Sequence, residues 1–115
     1  MERISKPWGW YEEVFAETIN YKCKRLYVNP NSQFSLQFHE YRNEYWTVVQ
    51  GDGEVFIGDN IKNVKVGDFI FVPRTINHRI KGGDLGITII EIQIGEKCVE
   101  DDIVRLEDDY GRITN

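Results

Sequence analysis

The chain contains two histidines, His39 and His78, and Glu44 stands five residues after the first of them. Two imidazoles and one carboxylate suffice to hold a divalent ion on one side while leaving its other positions to water or substrate. Close by is Arg42, whose planar fork of donors suits bidentate contact with sugar or phosphate oxygens, although a solvated arginine in a turn is the plainer reading. Lys24, Arg74 and Arg79 offer further positive charge for an anion, and ordinary solvated charge explains each equally well. Glu91 is a second carboxylate of interest, either a base for proton transfer or a buried structural group paired with a lysine or arginine. The same residues also admit a cavity without metal, in which the Tyr41 phenol hydrogen-bonds His39.

These side chains act together only if strands bring them together. Residues 21–28, 34–39, 45–49, 54–57, 63–66, 69–72 and 86–94 form short runs rich in aromatic and β-branched residues, the signature of strands. Between them stand Asn29-Pro30-Asn31, Gly51-Asp52-Gly53, Gly58-Asp59-Asn60, Gly67-Asp68 and Lys81-Gly82-Gly83-Asp84, which tolerate positive φ or fix turns. Regular spacing of this kind predicts an all-β sandwich or barrel, with 99–106 as a short helical or irregular cover. Residues two apart on a strand share a face, so Ser35, Gln37, His39 and Tyr41 are expected on one side, as are Glu44 with Trp46 and Glu91 with Gln93. Convergence of these faces would line a cavity with Gln37, His39, Glu44, His78, Glu91 and Gln93.

The bulk properties narrow the field. A chain of 115 residues with 41% hydrophobic content fits one domain with a single core, 1–115. The net charge of −5, with acidic residues gathered near the end, gives no basic footprint for nucleic acid. The first residues lack the apolar run of a signal peptide and no stretch reaches membrane-spanning length, so the expected location is cytoplasmic. Cys23 and Cys98 have neither the spacing of a zinc or redox pair nor the density of a secreted scaffold, and are expected to be reduced. Trp8, Trp10 and Trp46 read as packing anchors. Gly51-Asp52-Gly53 leads into a strand and not a helix, which removes a phosphate-loop reading.

The segments Gln37-Phe38-His39-Glu40-Tyr41-Arg42-Asn43-Glu44 and Gly67-Asp68-Phe69-Ile70-Phe71-Val72-Pro73, the latter running on to His78, resemble the paired half-signatures of cupins. In that family the first half supplies His-x-His and a Glu, and the second a Gly, a Pro and the last His. The resemblance implies a jelly-roll barrel, or double-stranded β-helix, with His39, Glu44 and His78 as metal ligands. It also places Tyr41 where a second histidine is expected, and a phenol of pKa near 10 is a poor ligand at neutral pH.

Further stretches narrow the resemblance. Lys6-Pro7-Trp8-Gly9-Trp10-Tyr11-Glu12, Arg42-Asn43-Glu44-Tyr45-Trp46, Glu100-Asp101-Asp102-Ile103-Val104-Arg105 and Asp109-Tyr110-Gly111-Arg112 are similar to the C-terminal domain of type II mannose-6-phosphate isomerases, often fused to mannose-1-phosphate guanylyltransferase. The family stretch Gln-x-His-His-His-Arg-x-Glu-His-Trp is matched at Gln37, His39, Arg42, Glu44 and Trp46 and departs at Glu40, Tyr41 and Tyr45. The resemblance implies interconversion of mannose 6-phosphate and fructose 6-phosphate with a divalent ion (Zn, Mn, Fe, Co or Ni), with Arg42 and Glu91 catalytic and Gln37, Arg42 and Lys24 on the sugar phosphate. A noncatalytic or metal-free cupin that binds a sugar phosphate or sugar nucleotide is the alternative. No nucleic acid or membrane partner is expected. Open sheet edges predict a homodimer, with the strand at 10–15 contributing.

Overall fold

A computed structural model of the chain describes residues 1–111, and no helix occurs among the described residues, so none can cross a membrane. The strands are β1 (Arg3–Lys6), β2 (Gly9–Phe15), β3 (Tyr21–Val28), β4 (Leu36–Phe38), β5 (Arg42–Ile57), β6 (Asn60–Lys65), β7 (Phe69–Val72), β8 (His78–Gly95) and β9 (Val104–Glu107). They form one sheet in which β1, β2, β3 and β8 follow one another, β4 and β9 continue from β8, and β5 pairs with β6, β7 and β8. The long strands β5 and β8 pair in two stretches, 42–51 against 87–95 and 53–57 against 78–82. Bends between those stretches curl the sheet into the jelly roll that the resemblance implies.

Two expected turns are these bends. At Gly51 φ is +74°, and an added β-carbon would run into the Gly86 carbonyl, so β5 passes through Gly51-Asp52-Gly53 as an irregularity inside the sheet. β8 likewise continues through Lys81-Gly82-Gly83-Asp84, with Gly82 opposite Gly53. Gly58-Asp59, by contrast, makes a two-residue hairpin between β5 and β6. The expected helical or irregular cover at 99–106 is irregular over 99–103 and corrected after that. Its last residues enter β9 because the edge of β4 is open there, and Val104 and Arg105 pair with Phe38 and Gln37. The N-terminal edge differs too, since β1 folds back on residues 9–12 of β2 and leaves only 13–15 open, with Val14 and Phe15 exposed.

Register across β3, β8 and β5 sorts the interior by chemistry. Leu26, Ile89 and Val48 form one cross-strand row, Lys24, Glu91 and Trp46 the next, and Lys22, Gln93 and Glu44 the one after. The interior therefore grades from apolar to polar over three rows of alternating residues. The apolar part includes Val28, Val48, Val72, Ile80, Ile87 and Ile89, none more than 1% exposed, and such burial contributes about 1.5–3 kcal/mol per side chain. Trp46 is fully buried between the two regimes, with Phe34 edge-on to it at 6.3 Å and His78 at 5.7 Å.

Candidate metal centre

The site forms where β4 ends, β5 begins and β8 begins. His39 follows the last residue of β4, and the chain then turns through Glu40 and Tyr41, whose backbone N–H groups donate to the Asp102 carboxylate at 2.9 and 3.0 Å. The carbonyl of the same Asp102 lies 2.6 Å from His39 Nδ1, which therefore carries its proton toward the backbone and turns Nε2 inward. His78 opens β8, and its Nδ1 lies 3.1 Å from the Ile76 carbonyl. The two rings stand 4.9 Å apart, and His78 Nε2 is buried without a hydrogen-bond partner among the described residues.

Glu44 completes the group. Its carboxylate accepts from Arg42 Nε at 2.9 Å and Trp46 Nε1 at 3.1 Å, and one oxygen lies 3.2 Å from His39 Nε2. Burial opposes ionisation of Glu44, but the neighbouring His39 and Arg42, with His78, outweigh it and hold the carboxyl far below the usual range. His39 and His78 are themselves pushed down, mainly by burial, His78 to about 4. At neutral pH the guanidinium of Arg42 is therefore the permanent positive charge beside Glu44.

One donor atom from each of His39, Glu44 and His78 lies within 4.8 Å of the others. These residues fit a divalent ion on three observations. Both Nδ1 atoms are occupied by backbone carbonyls, both imidazoles are neutral at pH 7, and the buried Nε2 of His78 has no partner of its own. Proton competition for the ligands is thereby low.

Tyr41 lies outside this group, contrary to the strand-parity expectation. Parity carries from Ser35, whose hydroxyl donates to Gln37 Oε1 at 2.7 Å, as far as His39, and is broken by the turn that Asp102 holds. The half-buried Tyr41 ring instead lies under Lys97 Nζ at 4.8 Å, and His39 Nδ1 bonds Asp102 rather than the phenol. Tyr45 also faces outward, beside Phe71 at 5.2 Å. The polar side chain two residues before His39 on the cavity wall is Gln37.

The cavity beside the group measures about 140 Å³ and is lined in part by Gln37, His39, Arg42, Glu44 and Glu91. Burial and the adjacent Glu44 charge push the Glu91 carboxyl up to about 8; it shares a hydrogen bond with Glu44 and accepts one from Gln93 at 2.7 Å. Arg42 has its donors directed to Glu44, the Val99 carbonyl at 2.9 Å and His39 Nε2 at 3.4 Å. Lys24 reaches the cavity but is paired with Glu100 at 2.7 Å. Arg74 is exposed, and Arg79 is bound to the Phe34 and Glu107 carbonyls. Sequence reasoning did not assign roles to Lys6, Tyr11, Glu100, Asp102 or Arg105, all of which stand in the terminal motifs quoted for the resemblance. Arg112, at the end of the last motif, lies outside the described residues.

A jelly roll carrying a histidine–glutamate–histidine group at these positions defines a cupin. Among solved structures, oxalate decarboxylase from Bacillus subtilis superposes with a TM-score of 0.81 at 19% identity, over 91% of this chain and 30% of that one. The cupin domain of Schizosaccharomyces pombe Cnp3 does so at 0.75 and 13% identity, over 84% and 69%. Within the cupins, the chain belongs to the family described as "Mannose-6-phosphate isomerase C-terminal", which matches residues 1–108. It is 39% identical over 111 residues to the xanthan biosynthesis protein XanB of Xanthomonas campestris, covering 96% of this chain and 24% of that protein. Similar values hold for the mannose-1-phosphate guanylyltransferase ManC of Salmonella typhimurium, at 35%, 96% and 23%, and the alginate biosynthesis protein AlgA of Pseudomonas fluorescens, at 37%, 96% and 23%. The chain spans about a quarter of the length of these relatives.

Proposed function

We propose that the chain interconverts mannose 6-phosphate and fructose 6-phosphate, in the supply of GDP-mannose or polysaccharide precursors, with a divalent ion (Zn, Mn, Fe, Co or Ni) held by His39, Glu44 and His78. The observation that carries this reading is the buried, partnerless Nε2 of His78 beside His39 and Glu44, in a chain whose family is named for that isomerase. Gln37, whose amide oxygen accepts from the Ser35 hydroxyl at 2.7 Å, lines the same cavity.

An ion held by His39, Glu44 and His78 would supply Lewis-acid polarisation of a substrate oxygen. Glu91 removes the proton from C2 of the open-chain aldose and returns it to C1 while the hydroxyl proton passes from O2 to O1, and a carboxyl whose pKa is lifted toward neutrality suits both halves of the carbon-proton transfer. Arg42 acts as a positioning residue. It fixes the Glu44 carboxylate through Nε and anchors the 99–102 segment through the Val99 carbonyl, and so differs from the direct substrate contact that the resemblance implies. Gln93 orients Glu91.

Cytoplasmic action belongs to the same proposal, supported by two buried free thiols, Cys23 and Cys98. So does a homodimer formed along the open 13–15 stretch of β2; a monomer by light scattering at high micromolar concentration removes that part. The catalytic part is tested with protein stripped by chelator and reconstituted, assayed for fructose 6-phosphate formation beside His39→Ala and His78→Ala. Activity restored by metal in the parent and in neither variant supports it. Equal activity in stripped, parent and variant proteins overturns the metal site, and no activity in any of them overturns the isomerase.

A further inference from the structure

Charge is distributed unevenly around the cavity. Lys6, Lys24, Arg42 and Arg105 all line it. Two of these cations are already neutralised, Lys24 by Glu100 at 2.7 Å and Arg42 by Glu44 at 2.9 Å. Glu91 belongs to the histidine end, where Gln93 and Glu44 take up its hydrogen bonds. Among the described residues, Lys6 and Arg105 have no carboxylate within salt-bridge distance and Arg105 Nε is buried with no hydrogen-bond partner; Lys6 Nζ stands 5.9 Å from the Tyr11 ring centroid.

A buried guanidinium N–H without an acceptor is costly in a folded protein and marks a place where an acceptor is missing. Arg105 is held there by register, since β9 pairs with β4 and sets Arg105 opposite Gln37. Lys6 arrives from the other side, at the end of β1 beside the Pro7-Trp8 turn. The two come from opposite ends of the sequence and meet at one cavity only because the N-terminal hairpin and β9 both close over it.

We propose that Lys6 and Arg105 form an anion subsite that takes the phosphate of a phosphorylated sugar, with Arg105 the principal contact. This rests on the isomerase reading for the identity of the sugar but not for the presence of the anion. A phosphate monoester carries about two negative charges near neutral pH, which matches the two unneutralised cations. Its oxygens supply the acceptor that Arg105 Nε lacks, and a planar guanidinium presents donors in the geometry a phosphate takes. The subsite and the histidine–glutamate group occupy the same cavity, so a substrate anchored by its phosphate presents its far carbons toward the histidines. Lys24, the phosphate candidate chosen from sequence, is then the partner of Glu100 and not of the ligand.

The test is binding of inorganic phosphate, mannose 6-phosphate and mannose to the full chain by calorimetry, in the parent, Lys6→Met, Arg105→Met and Arg105→Lys, with metal content measured in each. The expected result is one phosphate per chain and weaker binding by about tenfold or more in each Met variant, the loss of a charge-assisted hydrogen bond. Arg105→Lys recovers part of it, metal content does not change, and mannose binding is unaffected. Should Arg105→Met fail to fold by circular dichroism, Lys6→Met and Arg105→Lys carry the test. Absence of phosphate binding in the parent, or binding undiminished in the folded variants, overturns the subsite. Phosphate binding that depends on Lys6 and Arg105 in a protein that does not isomerise mannose 6-phosphate keeps the subsite and removes the isomerase reading.

Discussion

Replacing Arg42 by Met keeps most of the aliphatic stem and removes the charge. In the parent, the guanidinium satisfies Glu44 at 2.9 Å and the Val99 carbonyl at 2.9 Å, and both Arg42 and Glu44 are almost wholly buried. Breaking a buried pair by removing one partner costs about 3–5 kcal/mol, because the other charge is left without compensation. For a domain of this size that corresponds to a fall of about 12–20 °C in the melting temperature of the metal-free protein. Glu44 then loses one of the charges that hold its carboxyl down, and its pKa moves up. The deficit is therefore greatest at neutral pH and shrinks as the buffer is acidified and Glu44 takes a proton. A bound divalent ion supplies positive charge at the same carboxylate, and saturation at a thousand times its dissociation constant stabilises by about 4 kcal/mol. Scanning calorimetry of parent and variant, stripped and metal-loaded, at pH 7 and pH 5, reads every part of this. A variant that melts like the parent, keeps its metal and loses only affinity for mannose 6-phosphate refutes the argument and returns Arg42 to the substrate.

Three further outcomes follow from the same geometry. His78 is held neutral, with its pKa lowered from 6.5 to about 4, so its contribution is present above pH 6.5 and lost as pH falls toward 4; urea unfolding of stripped protein should show about 3 kcal/mol less stability at the acid end, a slope missing from His78→Asn. Glu91 is shifted the other way, up to about 8, so its contribution is full below pH 4.5 and lost as pH rises through 8; Glu91→Gln should remove that alkaline loss from the stripped protein while lowering turnover by about 10²–10⁴. Tyr41→His should leave divalent-ion affinity unchanged within about twofold by calorimetry, since position 41 faces Lys97 outside the group, and a tenfold gain, about 1.4 kcal/mol, would place it inside.

The fold was legible where side chains alternate and illegible where the backbone decides. Runs such as 21–28 and 69–72 announce strands through branched and aromatic residues, and the structure has β3 and β7 at those bounds. Gly51-Asp52-Gly53 and Lys81-Gly82-Gly83-Asp84 carry turn residues in either case, because a bulge that bends a paired strand needs the same freedom as a turn that ends one. His39, Glu44 and His78 could be grouped because they fall where the cupin half-signatures carry their ligands; two histidines and a glutamate alone would not have joined them. The displacement of Tyr41 could not be read, because it depends on Asp102, more than sixty residues away, binding two backbone N–H groups of the turn. Arg42 has the composition of a ligand-binding residue, and only the distances to Glu44 and Val99 give it another partner. Arg105 has no face legible in the sequence, because the irregular cover expected over 99–106 ends at 103 and only the pairing of β9 with β4 orients the residues after it.

The most direct measurement of the central claim is a titration of chelator-stripped protein with manganese or cobalt while conversion of mannose 6-phosphate to fructose 6-phosphate is followed by ³¹P NMR. The account predicts no conversion at zero metal, a rate that rises in proportion to bound ion, and saturation at one ion per chain, with His78→Ala silent throughout. Full occupancy by one ion without conversion, or a rate already maximal in stripped protein, would contradict it.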